Sequence, residues 1–259
     1  MVRHCLRYRN SRFPANEFAP RFSLITLLPP MDIDATGKFV EAILRLARIN
    51  DYEPGCHRNP EEAFRWYKIA ANLRNPYAQY CVATCYAEGF GVPKDDVEAC
   101  KWFLKSALQK PPGFSGAQHA VGVCYRDGKG VPQDCGEALR WFQKAAEQGL
   151  AVAQYDLANG YRLGQGTPKD FAAIATWYEK AAEQGYANAQ NNLGICYERG
   201  LGVSRDLVQA YKWLRLAADG EVEPAKKAAT DIAALLSSSQ FETTQRLYRE
   251  FKDSHPLKA

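Results

Sequence analysis

Long apolar runs are missing from this chain of 259 residues. Nothing in it approaches the roughly 18 consecutive apolar residues of a membrane-spanning helix. The most apolar N-terminal stretch, Leu24 to Leu28, is broken by Thr26. Residues 1–30 also lack the apolar segment and small-residue cleavage site of a secretory signal. The expectation is a chain with no membrane span, no classical export and a cytoplasmic location.

An excess of one charge is missing too, once the charge is located. The formal net charge is +4, and residues 1–30 supply all of it through Arg3, Arg7, Arg9, Arg12 and Arg21 against Glu17. The balanced body has no overall positive field for phosphate backbones, so no nucleic acid partner is expected. Residues 1–30 form a basic segment in which Pro14, Pro20, Pro29 and Pro30 break any long helix. It fits a disordered arm, a targeting segment or a leader ahead of a start at Met31.

Metal and catalytic motifs are absent as well. Of the 8 cysteines only Cys81 and Cys85 form a close pair, at i, i+4 spacing, and no second pair completes a structural zinc site. Reduced thiols, no metal and no cofactor are expected. The chain has no Ser-x-x-Lys, Lys-Thr-Gly, Gly-x-Ser-x-Gly, His-Glu-x-x-His or Gly-x-x-x-x-Gly-Lys-Ser/Thr. With no catalytic residues to assign, the sequence reads as a non-enzyme.

What is present is a repeat. The 5 tryptophans fall at Trp66, Trp102, Trp141, Trp177 and Trp213, separated by 36, 39, 36 and 36 residues. Ala-Gln recurs in step at Ala78-Gln79, Ala117-Gln118, Ala153-Gln154 and Ala189-Gln190, and each is followed by Tyr86, Tyr125, Tyr161 or Tyr197. A Gly-x-Gly turn comes next, at Gly89/Gly91, Gly128/Gly130, Gly164/Gly166 and Gly200/Gly202, then Asp95, Asp134, Asp170 or Asp206. The long interval is explained by Pro111-Pro112-Gly113, an insertion between units.

Each unit reads as two helices. The first carries an apolar stripe such as Ala153, Leu157, Ala158 and Tyr161, with a small residue where a neighbour must come close. The first glycine stops it at positive φ, and the aspartate caps the next helix. That second helix holds the tryptophan and a pair of alanines, as in Lys144-Ala145-Ala146-Glu147-Gln148-Gly149. The register with turn and cap residues assigns the tryptophans to the repeat core.

These motifs resemble the Sel-one-like repeat family, relatives of the tetratricopeptide repeats. Residues 75–220 carry four matching units, residues 31–74 a degenerate N-terminal repeat, and residues 221–259 read as C-terminal capping helices. The resemblance implies an all-α fold, a right-handed α-solenoid of helix-turn-helix repeats of about 36 residues. It further implies a monomeric scaffold or adaptor whose first helices line a concave face and bind a partner protein or extended peptide.

By the same resemblance, positions flanking the recurrent Leu/Val face the groove: Tyr80, Thr84, Glu88, His119, Arg126, Tyr155, Asn159, Arg162, Asn191 and Arg199. Arg126 and Arg162 beside Tyr155 and Asn159 point to a ligand with an acidic group. The alternative is a β-lactam-binding or hydrolysing enzyme, as in the cysteine-rich branch of the family. That branch carries regular paired cysteines, whereas here Cys85, Cys124 and Cys196 share one helical position without a partner series.

Overall fold

The computed structural model describes residues 40–41, 43–45, 47, 59–109, 112–164 and 169–255. All of them fall in one compact unit, Phe39–Ala259. Gly166, Cys5, Cys56 and the N-terminal basic segment lie outside the described residues. Described residues 40–47 are helical, and eleven further helices follow, with no strand among the described residues. They are α1 (Pro60–Asn72), α2 (Pro76–Glu88), α3 (Asp96–Ala107), α4 (Ser115–Asp127), α5 (Cys135–Glu147) and α6 (Ala151–Leu163). Next come α7 (Phe171–Glu183), α8 (Ala187–Arg199), α9 (Leu207–Asp219), α10 (Glu223–Ala233) and α11 (Ser238–Ser254). Each of α1 to α9 packs on the helix after it, and α11 packs back on α9, which makes an all-α solenoid.

The turn residues act as their chemistry requires. Gly89, Gly128, Gly164 and Gly200 close α2, α4, α6 and α8 in the left-handed conformation, at φ of 72°, 67°, 67° and 70°. Asp95, Asp134, Asp170 and Asp206 then cap the next helix; Asp95 Oδ1 accepts from the Val97 and Glu98 amides at 2.9 Å. Each such cap contributes about 1 kcal/mol. The aspartate amide also returns to the tyrosine carbonyl, as from Asp134 to Tyr125 at 2.9 Å, so the turn is closed across its base.

The second glycine has a different task. At Gly130 (φ 73°) a Cβ would run into the carbonyl of Asp96, at the start of α3 one unit earlier. Gly91 and Gly202 sit in the same way on the carbonyls of Pro60 and Phe171. The turn of one unit is thereby seated on the first turn of the preceding second helix.

The core is a column of small and aliphatic side chains. Ala78, Val82, Ala117, Val121, Ala153, Leu157, Ala189 and Leu193 are all fully buried. Trp102, Trp141 and Trp213 are buried, whereas Trp66 and Trp177 are half-covered. A lysine lies over the Trp102, Trp141, Trp177 and Trp213 rings, as Lys144 does at 4.1 Å from Trp141.

The Ala-Gln landmark has a role its spacing did not disclose. Gln154 is buried, its Nε2 donates to the Ala146 carbonyl at 3.1 Å, and its Oε1 accepts from Gln184 at 2.8 Å. Gln79 bonds Ala71 and Gln109, Gln118 bonds Pro112 and Gln148, and Gln190 bonds Ala182. The amides of Gln79, Gln154 and Gln190 therefore tie the end of a second helix to the start of the next unit, and that of Gln118 ties in the inserted loop.

At the C-terminal end α11 is largely polar, with Thr244 its one buried residue. It is held by the Trp213–Phe251 rings (5.3 Å apart), the Tyr211–Phe241 rings (5.6 Å), and Asp219 with Tyr248 and Lys252.

Candidate functional site

The ten residues that the resemblance assigns to the groove divide by what the fold does with them. Tyr80 packs its half-buried ring on Phe103 and Phe114, at 5.5 and 5.4 Å. Thr84 Oγ1 donates to the Tyr80 carbonyl at 3.1 Å, and Asn191 donates to Asn192 at 3.2 Å. Glu88 and Arg199 are exposed at the ends of α2 and α8. None of these five lines the cleft between α4, α5 and α6.

Arg126, Tyr155, Asn159 and Arg162 do converge. They line a cleft of about 280 Å³ between α4, α5 and α6, whose walls also include Cys135, Ala138, Leu139, Phe142, Asp156, Gly160 and Leu163. The floor is apolar and comes from α5, because Ala138 and Phe142 lie on the face that this helix buries. The polar wall comes from α6, where Tyr155, Asp156, Asn159 and Arg162 lie off its buried stripe.

Asp156 organises the charges. His119 Nε2 donates to its Oδ2 at 2.7 Å, and Arg126 Nη1 lies 3.7 Å from the same oxygen. Arg126 also forks onto Asp127, Nε to Oδ1 at 2.8 Å and Nη2 to Oδ2 at 3.3 Å. That hydrogen bond pushes the Asp127 carboxyl below its ordinary range and the Arg126 guanidinium above its own. Arg126 and His119 both lie against the Phe142 ring, at 6.0 and 5.4 Å.

The α6 wall is braced from α7. Tyr178, 1% exposed, donates its hydroxyl to Asn159 Oδ1 at 2.7 Å, and burial raises its pKa. Tyr155 packs between Tyr178 and Tyr186, at 5.9 and 5.1 Å. Arg162 is exposed, and its Nη2 stands 3.5 Å from Asn159 Oδ1. No carboxylate of the described residues lies within ion-pair distance of it. The two arginines that the sequence treats alike are thus different: Arg126 is internally neutralised, and Arg162 is not.

Sequence reasoning missed Asp156, Phe142, Leu139 and Gly160. Asp156 sits next to the recurrent Leu157, between the offsets assigned to the groove. Its counterparts in the other units are Cys81, Ala120 and Asn192, so a lone acid in that column was the available signal. The chemistry offered is recognition by apolar contact and hydrogen bonds. No group of three or more His, Cys, Asp or Glu among the described residues is placed to hold a metal, and no helix among them is long and apolar enough to cross a membrane.

The family model described as Sel1 repeat matches residues 40–75, 76–111, 115–150, 151–186 and 187–221. Over 102 residues the chain is 34% identical to chitin synthase regulatory factor 2 of Schizosaccharomyces pombe, an alignment that takes in 38% of this chain and 19% of that protein. The chain thus spans about a fifth of the length of that relative. Among solved structures, a Sel1 repeat protein from Oxalobacter formigenes superposes with a TM-score of 0.71 at 32% identity, covering 87% of this chain and 91% of that one. The protective antigen c5321 of uropathogenic Escherichia coli, described as displaying an SLR fold, gives a TM-score of 0.74 at 33% identity, covering 83% of this chain and 45% of its own. Five matched segments along the helical array, together with these solenoids, show that the chain belongs to the Sel1 repeat family, the Sel-one-like repeats.

Proposed function

We propose that this chain is a non-catalytic interaction scaffold that binds an extended segment of a partner protein on the face formed by α2, α4, α6 and α8. The observation that carries this reading is the cleft at α4, α5 and α6, which gathers Arg126, Tyr155, Asn159 and Arg162 from two units. Tyrosine and arginine supply contact area and directed hydrogen bonds at such sites. The ligand carries an acidic group, met by Arg162, because Asp127 and Asp156 already occupy Arg126. The relative named as a regulatory factor supports a role exercised through another protein. The scaffold acts as a monomer in the cytoplasm.

The test is capture of partners from the native host by immobilised chain, wild type against Arg126→Ala/Arg162→Ala. Truncating hot-spot residues costs more than about 1–2 kcal/mol, so recovery of the partner should fall at least fivefold while the melting curve is unchanged. Undiminished recovery would move the site away from this face.

A further inference from the structure

The cleft coincides with a break in a side-chain column that runs the length of the array. On the first helices of the units this column reads Cys85, Cys124, Gly160 and Cys196, at intervals of 39, 36 and 36 residues. On the second helices the facing column reads Phe64, Cys100, Leu139 and Ala175. The facing relation is physical. Cys100 and Cys124 are both buried, with their thiols close enough to act on each other, and a Cβ at Gly160 would run into Leu139 Cδ2. Only at this boundary of the four is the first-helix member a glycine, with a leucine leaning across it.

Two consequences follow at the cleft. Gly160 leaves α6 without a side chain on the wall, and Leu139 fills the gap only in part, so both residues line the open space. The mouth then carries one cation without a carboxylate partner among the described residues, Arg162, while Asp156 is occupied by His119 and Arg126. At about 280 Å³ the space lies just under the roughly 300–1,000 Å³ of drug-sized ligand sites, which suits a single side chain and its backbone.

Resting on the groove reading above, we infer that the Leu139/Gly160 exchange opens a subsite that takes one apolar side chain of the bound segment, with the carboxylate of that residue or its neighbour on Arg162. The aliphatic and aromatic floor of Leu139 and Phe142, with Leu163 at the rim, shields the side chain from water. The guanidinium of Arg162 then selects an anion over a neutral amide of equal shape.

The probe is N-acetyl-leucine, titrated into the isotope-labelled full chain and followed by amide chemical shifts. N-acetyl-leucinamide serves as the neutral isostere and N-acetyl-glycine as the carboxylate without a side chain. N-acetyl-leucine should shift the amides of Tyr155, Gly160 and Leu163, and bind roughly fivefold more tightly than the amide, the upper range for an exposed ion pair. Over N-acetyl-glycine, which has no side chain to bury, the gain should be at least as large. Arg162→Gln should make the acid and the amide equal. Leu139→Ala with Gly160→Cys restores the Ala175/Cys196 arrangement, and should abolish the shifts with the melting temperature held. If that double variant does not fold, the surface change Arg162→Gln still decides the matter.

Equal affinity for acid and amide in the wild type overturns the carboxylate contact. Shifts confined to other helices, or none, overturn the subsite. Either failure, with capture of the native partner still lost in Arg126→Ala/Arg162→Ala, leaves the groove reading standing. Probe binding as expected, with capture insensitive to that variant, refutes the groove reading alone.

Discussion

The two glycines of each turn make a demanding test, because they share a backbone conformation and differ in surroundings. Gly128 and Gly130 have φ of 67° and 73°. An alanine at either pays for the left-handed conformation, about 1 kcal/mol after the gain from a stiffer unfolded chain is subtracted. At Gly128 a Cβ would meet Gln133 Cβ at 3.4 Å, an ordinary contact, so the conformational cost is the whole cost. At Gly130 the Cβ would collide with the Asp96 carbonyl, a backbone atom in the first turn of a capped helix. Forcing the two units apart adds roughly 1–3 kcal/mol, the usual range for overpacking. Gly130→Ala should therefore cost about 2–4 kcal/mol against about 1 kcal/mol for Gly128→Ala. Urea unfolding followed by helical circular dichroism resolves this. With a slope of about 2–3 kcal/mol/M, the midpoints should fall by about 1 M and about 0.4 M. Equal midpoints for the two variants would refute the seating of each turn on the preceding unit.

Trp141→Ala empties a buried site in the middle of the array, and should cost about 3–5 kcal/mol in the same assay. Arg74 and Glu221 hold φ of 62° at connections where other units place Gly149 and Gly185, at 84° and 80°. Arg74→Gly and Glu221→Gly should each raise stability by about 0.5–1 kcal/mol, read as a higher melting temperature. At Asp219 burial raises the pKa, but hydrogen bonds from Tyr248 and Lys252 outweigh it and the net shift is downward. The stability this group contributes is complete above the ordinary carboxylate range and is lost as pH falls through its depressed pKa. Hydrogen exchange in α11 should accelerate as pH falls below about 4, after correction for intrinsic rates, and Asp219→Asn should remove that dependence.

The parts of the fold legible in the sequence are those whose cause is local. Asp134 caps the helix it begins, and Gly128 takes positive φ within its own turn, so three or four neighbouring residues carry the signal. The tryptophans were legible as core by their register, yet Trp66 and Trp177 are only half-covered, because burial depends on the neighbouring unit. The same reason hides the site. Leu139 and Gly160 meet across two helices, Asp156 gathers His119 from another unit, and no spacing rule predicts either contact. Thr84, placed on the groove by its offset, donates its hydroxyl to the Tyr80 carbonyl of its own helix, a bond that the offset alone does not disclose.

The buried glutamines bear on how such an array can change length. The amides of Gln79, Gln154 and Gln190 reach back eight residues to a carbonyl of the preceding helix, that of Gln118 reaches the inserted Pro112, and Gln79, Gln118 and Gln154 are each met by a second glutamine thirty residues on. Excision of residues 151–186 would set Gln190 in the place of Gln154, with the Ala146 carbonyl in front of its amide. Duplication of the same stretch would likewise present every new amide with a waiting acceptor. Whole units can therefore be lost or gained without stranding a polar group in the core, whereas a deletion of any other length breaks the succession. Descendants of this chain should vary in multiples of a unit, and the cleft at α4 to α6 can be carried into a longer or shorter array as a cassette.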